Sequence, residues 1–172
     1  MALAEGIRYR LTINSRETGQ VAAFVVNEAV AEPYQVNLLV TFSEPHDNII
    51  GQQARFDLVY PSEKKGPDRL RTFHGRVFAY MSLGHTSDAQ HFLYSISIKP
   101  RLAKAAWLSG NETYVDLTPA GIIAQILNEI GLQEGKDYDL SFIKQGETGA
   151  SPKYAKHMCK LKYEETHLDF LH

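Results

Sequence analysis

Apolar and polar residues alternate with a period of two through most of residues 1–100 of this chain. The segment from Phe92 to Ile98 shows the pattern most clearly, because apolar side chains occupy every second position. A period of two buries one face of a strand and leaves the other in solvent. Similar runs, joined by polar turns, begin at Ile7, Val21, Tyr34, Phe56 and Phe73. Short strands in this number predict an antiparallel β-barrel or sandwich over residues 5–100.

Polar segments are predicted to separate these strands. Glu17 to Gln20 favours a turn between the first two runs. Ser62 to Arg69 is rich in Lys, Gly and Pro, and we interpret it as a solvated loop. The run that begins at Phe73 is expected to lead through Gly84 into the segment described above.

A helix is predicted after Pro100, where the strand pattern ends. Thr118 supplies a side-chain oxygen that caps free backbone N–H groups. Pro119 suits the first helical position, because its missing N–H would have no hydrogen-bond partner within the helix there. Gly131 is expected to end the helix, because glycine readily adopts a positive φ. The apolar residues between these ends share one face; they are Ile122, Ile123, Ile126, Leu127 and Ile130.

Two further strands are predicted in the second half of the chain. They are Tyr138 to Ile143 and Met158 to Tyr163, with a loop from Gln145 to Pro152 between them. Residues 101–172 are therefore expected to form an α+β lobe, in which a small sheet packs with one helix. The fold class predicted for the whole chain is mainly β: an antiparallel β-barrel followed by this lobe.

The last residues have the pattern of a helix start. Thr166 and Asp169 have the spacing of a capping box, and the apolar residues after Thr166 begin one face. A single helical turn is marginal in water, so this turn is expected to fray unless it packs on the lobe. We expect a fragment truncated at its C-terminal helix; the alternative is a natural end with a short docked turn.

Composition and charge restrict the classes of partner. A formal net charge of −2 gives no electrostatic reason to expect nucleic acid or an anionic membrane. The single cysteine excludes an intrachain disulfide within these residues and favours a reducing compartment. The N-terminus lacks the basic start and apolar run of a signal peptide, and no apolar stretch approaches the roughly 20 residues that span a bilayer. If the protein leaves the cell, we expect it to do so without a cleaved signal peptide.

The cysteine and the histidines form no standard metal-binding pattern. His157 and Cys159 share a face of the predicted strand and His167 follows, but this spacing fits no common zinc site. Three other histidines would need a hairpin to bring them together: His74, His85 and His91. We predict no metal and no cofactor.

Catalytic motifs are also absent from the sequence. Ser109 to Asn111 lacks the Gly-x-Ser-x-Gly elbow of an α/β-hydrolase, and neither phosphate-binding nor dinucleotide-binding fingerprints occur. Cys159 is a lone thiol of a kind that is usually inert, although Lys156, Lys160 and Lys162 would favour its thiolate. The pair Glu164–Glu165 precedes the last helix start, where acidic groups favour the positive end of the helix dipole. We predict no catalytic residues and no enzymatic activity.

Four segments, in their order and spacing, resemble one protein family. They are Phe73-His74-Gly75-Arg76-Val77, Tyr94 to Pro100, Ile122 to Gly131, and the Tyr-x-Glu-x-x-Leu-Asp-Phe-Leu pattern from Tyr163. Together they make the chain similar to the VgrG family over nearly its whole length, from about Val25 to Leu171. Members of that family are trimeric tip proteins of type VI secretion systems, related to the baseplate hub proteins of contractile phages.

The resemblance implies a structural role. Family members form a threefold hub whose two barrels per subunit build a ring that matches the Hcp tube, and a β-helical needle follows. The first barrel would occupy residues 5–100 and the lobe residues 101–172, whereas the second barrel, an oligosaccharide-binding-like domain and the needle would lie beyond them. Exposed strand edges of the barrel are the expected ring contacts.

The resemblance also implies partners and a location. The implied partners are an Hcp-like tube protein, further copies of the chain in a trimer, baseplate proteins and effectors, with membrane contact only through the needle. Assembly would take place in the bacterial cytoplasm, followed by delivery to the medium or a target cell. Residues 1–172 alone are expected to be monomeric or weakly associated, because most trimer-forming surface of the family lies in the needle.

Three other interpretations stay open. A phage tail or baseplate hub cannot be separated from a secretion tip by sequence. A stand-alone β-barrel binding module would contain a pocket lined by convergent polar groups. An enzyme would need Cys159 within hydrogen-bond reach of a histidine.

Overall fold

A computed structural model describes residues 6–17, 19–60, 69–87, 90–145 and 155–172. The chain divides into two compact units, Met1–Pro100 and Arg101–His172. The described part of the first unit is an antiparallel sheet, and that of the second is a two-stranded sheet with helices. The predicted fold class, mainly β with an α+β second lobe, is confirmed.

The sheet of the first unit has the strand order β2-β1-β5-β6-β7-β4-β3, and each neighbouring pair is antiparallel. The strands are β1 (Arg8–Ile13), β2 (Arg16–Glu17), β3 (Gln20–Asn27), β4 (Gln35–Phe42), β5 (Gln53–Tyr60), β6 (Arg69–His85) and β7 (Phe92–Lys99).

The first turn lies earlier than the sequence predicts. Asn14 and Ser15 have φ values of 49° and 65°, so they form the tight turn between β1 and β2. Two consecutive positive φ values match the right-handed twist of a hairpin, and asparagine tolerates them well. The prediction of a turn at Glu17 to Gln20 is therefore wrong at its start, because Glu17 belongs to β2; Thr18 lies outside the described residues.

The sheet curls into a half-barrel rather than a barrel closed by hydrogen bonds. Only Thr12 and Ile13 of β1 pair with β2, and in the described residues no backbone pairing joins β1 to β3. Side chains bridge this seam instead, because the rings of Tyr9 and Phe24 lie 5.1 Å apart. The concave face is filled by one continuous core, whose largest fully buried members are Phe56, Leu11, Leu38, Ile96, Ile98, Val36, Val40 and Val77.

The close packing around Gly75 explains why the Phe73–Val77 segment contains a glycine. It lies in the middle of β6, opposite Ala54 of β5. A Cβ atom at this position would lie 2.2 Å from the carbonyl oxygen of Lys99 in β7. Real Cβ atoms do not approach backbone oxygen this closely, so any other residue would push β6 and β7 apart.

Strand β6 continues past the position where the sequence suggests a break. Its 17 residues contain two irregularities of register, one between Val77 and Ala79 and one between Ser82 and Gly84. Gly84, with φ of 102°, is part of the second irregularity rather than a turn. Bulges of this kind bend a strand, which lets β6 follow the curvature of the half-barrel. The predicted loop from Ser62 to Arg69 lies outside the described residues, except that Arg69 begins β6.

The second unit combines an antiparallel ribbon with helices. The ribbon pairs β8 with β9, and this pairing is irregular between Gly110 and Glu112. The elements are a 3₁₀ helix (Arg101–Ala106), β8 (Ser109–Leu117), α1 (Pro119–Glu129), α2 (Ser141–Gln145), β9 (His157–Thr166) and α3 (His167–Leu171). None of the described helices has the length and apolar character needed to cross a membrane.

Helix α1 begins, buries its apolar face and ends as the sequence predicts. The hydroxyl oxygen of Thr118 accepts a hydrogen bond from the backbone N–H of Gly121 at 3.2 Å. Ile122 and Ile126 are buried on the predicted face, and Gly131 follows the helix with φ of 84°. The apolar face packs in the cores of the second unit.

The predicted strand from Tyr138 to Ile143 is wrong. Residues 141–145 form helix α2. The Asp139 carboxylate accepts hydrogen bonds from the backbone N–H of Ser141 at 2.7 Å and from its hydroxyl at 3.0 Å. These bonds satisfy donors at a helix start, so local capping outweighs the apolar alternation.

Helix α3 begins with the predicted capping box. The Thr166 hydroxyl oxygen accepts from the N–H of Asp169 at 3.1 Å, and the Asp169 carboxylate accepts from the N–H of Thr166 at 3.4 Å. The condition for an ordered turn is met, because three apolar side chains pack against the cores of this unit: Leu168, Phe170 and Leu171.

Candidate interaction surfaces and the buried polar cluster

A cluster of charged side chains lies inside the second unit. The side chain of Lys162, on β9, is fully buried, and its Nζ lies 3.1 Å from Oε1 of Glu112 on β8. The same Nζ lies 2.8 Å from Nδ1 of His167, which is 4% exposed. Buried charges of this kind are stable only when they are paired and hydrogen-bonded.

The contact with Lys162 indicates the tautomer of His167. An ammonium group only donates hydrogen bonds, so Nδ1 of His167 accepts from Lys162. Nε2 is then the nitrogen that carries a proton, and it lies 3.1 Å from a carboxylate oxygen of Glu129. These bonds tie α3 to β9 on one side and to α1 on the other.

Tyr114 completes the cluster from β8. Its hydroxyl donates to the second carboxylate oxygen of Glu112, and its side chain is buried. Burial raises the pKa of Tyr114 well above its ordinary value, and the hydrogen bond to Glu112 raises it further. Burial also acts to raise the pKa of Glu112, but the hydrogen bonds from Tyr114 and Lys162 outweigh it and hold that pKa below its ordinary value. Glu112 is therefore a carboxylate at neutral pH.

The cluster does not fit a metal ion. Ligand atoms of Glu112, Glu129 and His167 lie within 4.8 Å of one another, a grouping that could in principle hold a cation. The Lys162 ammonium is already in contact with Glu112 and His167 and would repel a second positive charge. We interpret the cluster as a structural one.

Cys159 belongs to no group of three potential metal ligands among the described residues. Cys159 is exposed on β9, opposite Val115, and its neighbour His157 is exposed too. The three nearby lysines have other partners: Lys160 lies over the Phe170 ring, Lys156 pairs with Asp116, and Lys162 is in the cluster described above.

Of the three histidines that a hairpin was expected to bring together, His74 lies apart from His85 and His91. His74 is near the start of β6, opposite Arg55, and is exposed. His85 ends the same strand, with its ring 4.5 Å from that of Phe92, and His91 follows across the hairpin. The strand length between His74 and His85 keeps them from sharing a site.

The acidic pair before the last helix has a different role from the predicted one. Glu164 lies in β9 with φ of 51°, and its backbone N–H donates to the Asn111 side chain at 2.8 Å. Glu165 lies opposite Gly110 in the ribbon. The acidic residue in the first turn of α3 is Asp169. Asp169, rather than Glu164 or Glu165, therefore interacts favourably with the positive end of the helix dipole.

The ribbon of the second unit presents apolar side chains to solvent. Val115 is 62% exposed, Leu161 56% and Tyr163 61%. Cys159 lies opposite Val115 and is exposed with them. Exposed apolar groups in this number on two short strands are typical of a contact surface.

A second surface, the basic face, lies on the convex side of the half-barrel. It consists of Arg8, Arg10, Arg55, His74, Arg76 and Lys99, which alternate with core residues along β1, β5, β6 and β7. Asp57 lies on the same side, but it is fully buried and accepts hydrogen bonds from Arg55 at 2.9 Å and Thr72 at 2.6 Å. Asp57 therefore neutralises part of the positive charge of these strands.

The interior of the half-barrel is occupied by side chains. Phe56, Val36 and Ile96 are fully buried there. A depression of about 350 Å³ is lined in part by Ile13, Ile49, Arg16 and His46. Two of these residues, Ile13 and Ile49, also belong to the core.

Comparisons with known proteins place the chain in a family. A comparison with curated protein sequences finds no match. A solved structure described as the E. coli c3393 protein, a component of the type VI secretion system with structural similarity to the T4 bacteriophage tail proteins gp27 and gp5, aligns with a TM-score of 0.65 at 19% identity. The alignment covers 94% of this chain but only 41% of that one. The family model described as the phage tail baseplate hub (GPD) matches residues 27–172, and the chain therefore belongs to the phage tail baseplate hub family.

Proposed function

We propose that this chain is the N-terminal hub region of a type VI secretion spike of the VgrG kind, which caps an Hcp-like tube. The observation that carries the proposal is the baseplate hub match over residues 27–172. The fold supports it, because 94% of this chain aligns with the structure of a component of such a system. The role is mechanical: the chain passes the force of the contracting sheath to the tip that punctures a target membrane, and it catalyses no reaction.

In this proposal the chain acts as part of a trimer. Three copies form a rotationally closed ring on the end of the tube, with strand edges and exposed faces as contacts. Baseplate proteins and effectors bind the same hub. The spike assembles in the bacterial cytoplasm and is delivered by contraction of the sheath.

A tail hub of a contractile phage is the second candidate, because the matching family is described by that role. The two candidates share the hub geometry and differ in the particle that contains it. Purified particles distinguish them: a phage hub is found on a tail attached to a capsid, and a secretion hub on a tube without one.

Association in solution provides a separate test. Residues 1–172 alone are expected to be monomeric or weakly associated at micromolar concentration. Multi-angle light scattering measures this directly. A tight trimer of this chain would show that the threefold contacts lie within these residues and not in a needle.

A further inference from the structure

We propose that the depression beside the β1–β2 hairpin binds a carboxylate that carries a short apolar group. This inference goes beyond the hub function and does not depend on it. The volume of the depression, about 350 Å³, lies near the lower end of the range for small-molecule sites. Six described residues line it: Ile13, Asn14, Arg16, His46, Ile49 and Gln52.

The hairpin forms one wall of the depression and carries a guanidinium group. Arg16 of β2 lies directly opposite Ile13 of β1. Directly opposed residues project from the same face of two strands, and Ile13 is buried in the core of the half-barrel. Arg16 therefore projects from the core-facing side of the hairpin, and its exposure places the charged end where the depression meets solvent.

The second wall is the connection between β4 and β5, which hydrogen bonds hold to the sheet. Three of its backbone N–H groups donate to groups on β6 and β7: His46 to the Tyr94 hydroxyl at 3.1 Å, Asn48 to the Tyr80 hydroxyl at 3.0 Å, and Gly51 to the Val77 carbonyl at 2.8 Å. The Gln52 side chain also donates to the Asn48 carbonyl at 3.1 Å. Because these bonds fix the wall in advance, binding needs little further ordering of the chain.

The floor of the depression is apolar. Ile13 and Ile49 are both buried members of the core of the first unit. An apolar group that contacts these two side chains leaves water, which is favourable. The floor therefore suits a ligand with an apolar part of a few carbon atoms.

Polar side chains around the floor have hydrogen-bonding capacity that the protein does not use. Within the described part of the chain, the side chains of Asn14 and Arg16 and the ring nitrogens of His46 make no hydrogen bond or ion pair. The His46 ring packs edge-on against Phe42, with the ring centres 4.3 Å apart. In either tautomer this ring has one N–H donor, and the Asn14 amide has two.

The charge of the lining favours an anion. Arg16 is the only arginine or lysine among the six residues, and none of them is acidic. Glu44 and Asp47 belong to the same connection as His46, but they are exposed and do not line the depression. A guanidinium group matches the two oxygens of a carboxylate with parallel N–H donors. A phosphate ion would use these donors but would leave the apolar floor uncovered.

NMR titration of the backbone amides in the 172-residue chain tests the proposal, with isovalerate as the probe. We expect isovalerate to shift the amides of the lining residues with a Kd of about 1 mM. Acetate, which lacks the apolar group, and inorganic phosphate are each expected to bind at least about tenfold more weakly. Isoamylamine has the same branched chain with an ammonium group and is expected not to bind.

Arg16→Gln is expected to weaken isovalerate binding at least about tenfold, because it removes the charged donors. Arg16→Lys keeps the charge without the paired donors and should give a smaller loss. Since Arg16 is exposed and has no partner among the described residues, both variants should keep the Tm of the unaltered chain. The matched control is Lys104→Gln, which removes one charge from an exposed position of the second unit and should change the Kd less than about twofold.

Four results would overturn the proposal: no amide shifts with isovalerate up to about 50 mM, the same Kd for Arg16→Gln as for the unaltered chain, tighter binding of phosphate, or equal binding of isoamylamine. A further titration identifies the source of the carboxylate. It compares isovalerate with the dipeptide acetyl-Ala-Leu, which has a free C-terminal carboxylate, and with its C-terminal amide. Tighter binding of the dipeptide acid supports a protein C-terminus, tighter binding of isovalerate supports a small organic acid, and equal binding of the dipeptide amide and acid would contradict the carboxylate site.

Discussion

The Nζ atom of Lys162 lies 2.8 Å from Nδ1 of His167, and both side chains are buried in the second unit. The contact joins the end of the ribbon to the first residue of α3, and Glu112 and Glu129 extend it to β8 and α1. One polar cluster thus connects four elements, β8, β9, α1 and α3. Such clusters add specificity to packing, because they are satisfied in only one arrangement.

Lys162→Met is expected to destabilise the second unit by about 3 kcal/mol, because it leaves Glu112 without its buried cation and His167 without the donor at Nδ1. Lys160→Met is the control: it removes the same charge from an exposed neighbour and is expected to cost less than about 1 kcal/mol. Urea unfolding measures both. Equal midpoints for the two variants would show that the cluster contributes nothing.

Acid is expected to weaken the same cluster. The pKa of Glu112 is lower in the folded chain than its ordinary value of 4.5, so the stability it contributes is present above that value and is lost as the pH falls through the lower, folded value. Glu112→Gln removes the carboxylate that becomes protonated, so the stability of the variant should decline less steeply below pH 4.5. Asp169 also has a lowered pKa, from its hydrogen bonds with Thr166, so some acid dependence remains in the variant. Thermal melts over this pH range give the difference, and parallel profiles would contradict the assignment.

Gly75→Ala is expected to cost about 3 kcal/mol, because its Cβ would overlap the backbone carbonyl of Lys99 at 2.2 Å. Gly110→Ala is the matched control, since no atom lies within 4 Å of the Cβ that it would add. Differential scanning calorimetry should show a large drop in Tm for the first variant and little change for the second. A tolerated Gly75→Ala would mean that β6 and β7 do not approach as closely as described.

Thr166→Ala is expected to destabilise the second unit by about 1 kcal/mol, because the capping box of α3 loses its hydroxyl. Thr166→Ser keeps that hydroxyl and should retain most of the stability. Hydrogen exchange of the α3 amides reports the local effect. If serine and alanine give the same exchange rates, the cap is not what orders this turn.

The strands of the first unit could be predicted because each has one buried and one solvated face. In β4 and β7, side chains alternate between core and surface in the way that the apolar pattern indicates. The sequence places the first turn around Gly19, because glycine is common in turns. The hairpin turn lies instead at Asn14 and Ser15, since an asparagine followed by a short polar residue also tolerates positive φ. The incomplete closure between β1 and β3 depends on pairing between strands, which local patterns do not encode.

The ribbon of the second unit shows why the rest was harder to predict. In β9 the lysine at position 162 is buried while Leu161 and Tyr163 are exposed, so the apolar pattern points to the wrong face. Strand β8 was not predicted at all, because Ser109 to Asn111 has the composition of a turn. Neither segment alone predicts the buried cluster, because Glu112 and Lys162 come together only through the β8–β9 register.

Cryo-electron microscopy of contractile particles carrying this chain with an added tag tests the central claim most directly. The account predicts three copies at one end of the inner tube, at the tip that leads on contraction. Particles that assemble and contract without the chain, or a chain distributed along the tube, would contradict the assignment of this protein as a hub.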